Sequence, residues 1–363
     1  MASSDSPKQL ALGVDLGGTK IYTLLADAAG RVFSECTVAT PAGCGERDVF
    51  DAILASLMQV LGQAAEELAP AEGRGAEKRP GQGLPAAFPA EIKRCLLQLG
   101  SAGYPVIGLG IGVAGVVSAC GNIISQAPNL GWKDVSFRRR LETALGLTVR
   151  MDNDTNLAAW GEYLYGDHGR PDSLVYVGIG TGIGGGLVIN GRLYRGTSGG
   201  AGEIGHTVVE PAGPVCSLGH PGCLEAMASG LAIARIIRQE VEQGRGESLL
   251  PYADGGPQQL TAKALGRALA DGNPLAAEIM ARVGTYLGIG LSSVINILNP
   301  ALIVIGGGVA EMSEAFRLNL LREVELRAFP ALRQAVRIEK ASLGKRAGAL
   351  GASALVFTEK GVE

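Results

Sequence analysis

One local device occurs twice in this chain, and it restricts the fold more than any other feature. GVDLGGTK, residues 13–20, is an apolar run that ends in two glycines and a hydroxyl before a second apolar run begins. VGIGTGIGGGLVING, residues 177–191, repeats the plan with six glycines between Gly178 and Gly186. A tight hairpin needs only one or two glycines, and each costs backbone entropy. The surplus predicts turns whose main chain is approached closely by a ligand. Two such devices in one chain predict two lobes built alike.

The rest of the pattern agrees. LALGVDLGG, TKIYTLLAD and RVFSECTVA read as a three-stranded meander. Helical periodicity covers 49–68, and residues 69–89, rich in Pro, Gly, Ala and charge, read as a flexible insertion before a helix over 90–99. The strand VIGLGIG, a short pair VVSA and NIIS, the helix SFRRRLETALG, the strand LTVRMDN and the helix TNLAAWGEYLYG follow. The second device, SLVYVGIG and GGLVING, opens the remainder. Helices are expected over 224–241, 261–270, 276–298 and 311–325, with strands ALIVIGGG and AVRIEKA and a closing helix. This order predicts an α/β chain of two lobes with a cleft between them. The expected division is a small lobe over 1–133, joined by the closing helix 346–363, and a large lobe over 134–345.

A chain of 363 residues with 47% apolar and 18% charged residues can bury sizeable cores. Its net charge of −3 offers no case for nucleic acid. Residues 95–132 carry no charge, yet the apolar run within them is broken by Gly and Pro and falls short of the roughly 20 residues of a spanning helix. It reads as a buried strand, with no membrane partner expected. The irregularly spaced cysteines and an N-terminus without a signal-peptide pattern fit a reducing, cytoplasmic setting. Cys36, Cys44, Cys95 and Cys120 are expected to be small core residues.

The chemistry-bearing residues cluster at strand ends. Asp15 lies in a buried strand, where a carboxylate is costly unless it faces a cation. Gly17, Gly18, Thr19 and Lys20 follow it, and Gly180, Thr181 and Gly182 form the matching turn. Backbone N–H groups free of Cβ atoms suit the phosphates of a nucleotide with its magnesium. Gly306, Gly307 and Gly308 end a further buried strand, where a helix N-terminus would take the rest of the nucleotide. GIGVAG, residues 110–115, matches a dinucleotide fingerprint but precedes a strand pair rather than a helix, and Gly344-Lys345 lacks the Ser or Thr of a Walker loop. Asn153-Asp154 reads either as a helix cap or as a ligand-facing pair at a strand's carboxyl end, where Asp154 could take a proton from a substrate hydroxyl. His206, Cys216, His220 and Cys223 fall within 18 residues of a chain holding three histidines, and suit tetrahedral zinc.

Taken in order, DLGGTK, ND before a helix, GIGTGIGGG, EIGH, GCLE and the late GGG resemble the ROK family of sugar kinases over nearly the whole chain. The resemblance implies an actin/hexokinase-like, ribonuclease H-like fold and ATP-dependent phosphorylation of a hexose at its primary hydroxyl, with glucose leading. Fructose, mannose and N-acetylated hexosamines are the alternatives within the kinases. It further implies that Asp154 is the base, that Asn153, Glu203, His206 and Glu225 hold sugar hydroxyls, that Asp15 and the Gly-Thr turns handle Mg-ATP, and that the protein is a homodimer. The family cysteine cluster is C-x-C-G-x-x-G-C, and here Leu218 replaces the second cysteine. His220 is expected to substitute as the fourth zinc ligand, as a histidine does in some fructokinase-like relatives. A sugar-responsive repressor of the same family carries a DNA-binding domain ahead of the first turn, for which the fourteen residues before Asp15 are too few.

Overall fold

The apolar, β-branched run at the start becomes strand β1 (Leu10–Leu16), buried at every residue except Asp15. It is flanked by β2 (Lys20–Asp27), antiparallel, with β3 (Val32–Ala39) beyond it. Helices α1 (Glu46–Leu68) and α2 (Phe88–Ser101) follow. α1 buries Ile53, Leu57 and Leu61, spaced four residues apart on one face, in a core shared with Ile92 and Leu99 of α2. Strand β4 (Val106–Val113) then returns parallel to β1, so the apolar run within the uncharged stretch is sheet, buried from Gly108 onward. A small sheet of β5 (Val116–Val117), β6 (Ile124–Ala127) and β7 (Trp132–Val135) follows, one strand more than the pair the sequence predicts. Helix α3 (Phe137–Leu145), strand β8 (Val149–Asn153) and helix α4 (Asp154–Tyr165) complete this part, with β8 parallel to β4. The sheet order is β3-β2-β1-β4-β8.

The second device repeats this topology. Strands β9 (Ser173–Ile179) and β10 (Ile183–Ile189) form an antiparallel hairpin, with β11 (Arg192–Leu193) after it. Helices α5 (Leu224–Ala228), α6 (Gly230–Glu242), α7 (Ala262–Ala270) and α8 (Pro274–Leu298) precede strand β12 (Leu302–Gly306), which lies parallel to β9. After α9 (Glu314–Arg327) and α10 (Pro330–Ala335), β13 (Arg337–Lys340) pairs parallel with β12. The order is β11-β10-β9-β12-β13, again a hairpin followed by parallel strands. α8 is long and apolar enough to cross a membrane, yet its Ile279, Val283, Leu287 and Leu291 are buried in the core. The closing helix is α11 (Ala347–Thr358).

These elements are those of a computed structural model, which describes residues 8–41, 43, 45–69, 88–256, 259–309 and 313–358. Residues 70–87 of the expected insertion, Cys44 and the start of the helix expected at 311 lie outside the described residues. The chain divides into two compact units: Met1–Gly169 with Leu193–Ala201 and Lys345–Glu363, and Arg170–Arg192 with Gly202–Gly344. The division therefore falls later than residue 133, because β8 hydrogen-bonds to β4 and draws α3, β8 and α4 into the first unit.

Three local expectations change. The helix expected over 224–241 breaks at Ser229, whose backbone is extended and whose Oγ accepts from the N–H of Ala232. The break frees the N–H groups of Gly230 and Leu231 to donate to the carbonyls of Gly180 and Thr181. Cys36 and Cys95 are buried as expected, but Cys120 is exposed, since it sits in the turn between β5 and β6. Finally, Gly306–Gly308 do not run straight into a helix: α9 begins at Glu314, capped by Ser313.

Candidate functional site

In the first unit, Asp15 is paired in register with Tyr22 on β2 and Gly112 on β4. The turn after it is closed by the N–H of Gly17 donating to the Lys20 carbonyl, and by Thr40, whose hydroxyl donates to the Gly17 carbonyl. Thr19 and Lys20 are exposed at the tip. A Cβ on Gly18 would stand 2.8 Å from Cβ of Asn129, and one on Gly348 of α11 would stand 3.1 Å from the carboxyl carbon of Asp15. The carboxyl is thus enclosed, and burial pushes its pKa up to about 6, partly offset by the charge of Lys20. Its ionised form therefore costs stability. The penalty is absent below the unfolded pKa near 3.8 and is complete once pH rises past about 6. Asp15→Asn is expected to raise unfolding stability at pH 8 by roughly 1–3 kcal/mol, a gain that shrinks toward pH 4. Denaturant melts of both proteins across that range check it.

Asp154 opens α4 at the carboxyl end of β8, the place where parallel sheets present ligand-facing groups. Its Oδ1 accepts from the N–H of Thr155 at 2.8 Å. Asn153 is the helix cap: its Oδ1 accepts from the N–H groups of Thr155 and Asn156 at 2.9 and 3.1 Å, and its Nδ2 donates to the Gly115 carbonyl at 2.9 Å. Beneath them Asp152, only 3% exposed, accepts from the Asn153 N–H, from Nδ2 of Asn156 and from Arg195.

In the second unit, the Gly180–Gly182 turn is closed by the Gly180 N–H donating to the Gly182 carbonyl and is held from behind by α6. Gly180 and Thr181 are exposed, and a Cβ on Gly180 would meet nothing within 4 Å, so neither packing nor backbone conformation demands glycine there. Gly182 differs, because a Cβ there would overlap the Glu225 carboxylate. Glu225 ties three segments together. Its Oε2 accepts from the Ile183 N–H at 3.3 Å and its Oε1 from the Ser217 hydroxyl at 2.8 Å, while its own backbone belongs to α5. Gly306 is buried beside Tyr176, Gly307 has φ +88°, and Gly308 is exposed with open space where a Cβ would be. Glu203 is exposed, and its carbonyl accepts from the His206 N–H.

Of the four expected metal ligands the structure gathers three. The ligand atoms of His206, Cys216 and Cys223 lie within 4.8 Å of one another. His220 is not in this group among the described residues: its side chain is exposed, and its carbonyl accepts from the Cys216 N–H and the Cys223 thiol. The donors fit a soft cation. His206 Nδ1 is buried without a hydrogen-bond partner, a cost that a metal bond would remove. Burial and the neighbouring Cys216 push the Cys223 thiol up to about 11. At Cys216 burial acts in the same direction, but backbone hydrogen bonds at Leu218 and His220 outweigh it and hold the thiol below its usual value. A bound cation would favour the thiolate form of both cysteines.

The sequence reading did not single out Asp152, Asn156, Arg195, Ser217 or Gly348. Residues 71–359 match the family model described as ROK family. The chain is 30% identical to a glucokinase of Streptomyces coelicolor over 95% of its own length and 97% of that protein. It is 33% identical to a xylose repressor of Caldicellulosiruptor bescii over 70% of its length, and spans 63% of that relative. Among solved structures it resembles a ROK family glucokinase from Streptomyces griseus in complex with glucose and AMPPNP, with a TM-score of 0.74, 31% identity, and 95% and 98% of the two chains covered. With this coverage, and with the actin/hexokinase-like topology present in both units, the chain belongs to the ROK family.

Proposed function

We propose that the protein transfers the γ-phosphoryl group of ATP to the primary hydroxyl of a hexose, with glucose as first candidate. The observation that carries this reading is Asp154, a carboxylate at the carboxyl end of a parallel strand whose backbone is locked by the Asn153 cap. Asp154 accepts the proton of the sugar hydroxyl as that oxygen bonds to phosphorus, and the bond between phosphorus and the ADP oxygen breaks. The Gly17–Lys20 turn of the first unit and the Gly180–Gly182 turn of the second would each offer main-chain N–H groups to phosphate, and Asp15 would attract magnesium. Magnesium, when bound, neutralises charge developing on the phosphates. Glu203, His206 and Glu225 orient sugar hydroxyls. His206, Cys216 and Cys223 would hold a zinc ion, which would fix the imidazole's tautomer and direction, outside the chemistry. The likeness to the Streptomyces glucokinases supports the reading.

A second reading, a sugar-responsive regulator without catalysis, is favoured by the xylose repressor relative. ADP release from Mg-ATP against a panel of hexoses separates the two, since a silent protein that still binds sugar belongs to the second. Metal analysis of the same sample is expected to give about one zinc per chain, lost in Cys216→Ser. Glu225→Gln is expected to weaken hexose binding by about 1.5–3 kcal/mol, the range for a hydrogen bond to a charged group. Calorimetry that finds an unchanged affinity would make Glu225 a purely structural tie.

A further inference from the structure

Arg195 reaches Asp152 from outside the elements that surround it. Its Nε donates to Asp152 Oδ2 at 2.5 Å across 43 residues of sequence. The other carboxylate oxygen, Oδ1, accepts from the Asn153 N–H at 2.7 Å and from Asn156 Nδ2 at 2.9 Å. A buried aspartate is thus wired into both residues that flank Asp154 and Thr155 at the start of α4. Arg195 lies on Leu193–Ala201, nine residues that belong to the first unit although the chain on either side belongs to the second. The excursion is closed by the Ala201 N–H donating to the Arg195 carbonyl. It is seated by Gly199, φ +91°, where a Cβ would overlap the Val117 carbonyl of β5. Glu203 follows two residues after the excursion ends.

We infer that Arg195 is a positioning residue for Asp154: its guanidinium neutralises Asp152 and so keeps the capped start of α4 in the geometry in which Asp154 meets the substrate hydroxyl. The inference rests on the phosphotransfer reading above. Without Arg195, the buried carboxylate of Asp152, two positions before Asp154, loses the guanidinium that faces it, and such a charge either repels its neighbour or draws in solvent. Both outcomes disturb the base without touching the nucleotide turns.

The test is kinetic, on the full chain with Mg-ATP and glucose. Arg195→Met is expected to lower kcat roughly 10- to 100-fold, the cost of a misplacement near 1 Å, while KM for ATP and the calorimetric Kd for glucose stay within about threefold. Asp152→Asn combined with Arg195→Met removes the bare charge and is expected to recover kcat to within roughly fivefold of wild type, because the remaining amide still accepts and donates hydrogen bonds. A folded Arg195→Met protein with wild-type kcat overturns the inference, and so does a double variant no faster than the single one. If Arg195→Met does not fold, Arg195→Lys takes its place: a lowered kcat at unchanged glucose Kd supports the positioning role, and an unchanged kcat overturns it. Wild-type protein that releases no ADP with any hexose overturns the phosphotransfer reading and this inference together, whereas an active wild type with an indifferent Arg195 overturns the inference alone.

Discussion

Asp154→Asn is expected to lower turnover by roughly two to four orders of magnitude, the usual range for loss of a general base. The fold should survive. The α4 cap is made by Asn153, which accepts from two backbone N–H groups, and an asparagine at 154 keeps an oxygen to accept from Thr155. The substitution also takes one negative charge from the N-terminus of α4, an effect worth about 0.3–1 kcal/mol. A variant with near wild-type kcat would remove Asp154 from the chemistry. One that is inactive but also unfolded at 25 °C would show that the charge is structural. Thermal melts beside the ADP assay distinguish these outcomes.

The largest expected loss of stability lies elsewhere, at Gly110→Val. A Cβ at this position of β4 would overlap the carbonyl oxygen of Ala352 in α11, main chain that cannot rotate aside. The same closeness recurs at Gly13 against Ala349, Gly161 against Ala347 and Gly351 against Leu157, so α11 lies against the sheet and α4 through bare backbone. Overpacking of this kind costs about 2–4 kcal/mol or more, and for a chain of 363 residues a loss of that order lowers Tm by roughly 3–5 °C. Differential scanning of the variant tests it, and a melt within 2 °C of wild type would mean that the helix can be displaced cheaply.

Much of this was legible from residues alone, for identifiable reasons. Strand ends that carry Gly, Thr and Asp announce themselves because each residue type is costly in a buried strand without a purpose, and GVDLGGTK and GIGTGIGGG led directly to both hairpins. Repetition of one device led to the repeated sheet topology. The misses share a cause, which is that tertiary partners override local pattern. Periodicity over 224–241 gave no sign that Gly180 and Thr181 would claim two helix donors and break the helix at Ser229. Ligand spacing placed His220 with the cysteines, but the turn at Gly219, φ +82°, spends the His220 backbone on Cys216 and leaves its ring exposed. Arg195 was invisible because its partner lies far away in sequence. Cys120 has the residue type of a core position, whereas its turn puts it at the surface.

The seating of α11 has a consequence for biosynthesis. Strands β1 and β4 are translated well before α11, whose backbone covers Gly13 and Gly110. At about 5–20 residues per second, the early sheet waits for tens of seconds with that face uncovered. The first unit thus cannot complete its helix-on-sheet packing until α11 has emerged, while the second unit, whose last segment ends at Gly344, has all its strands before then.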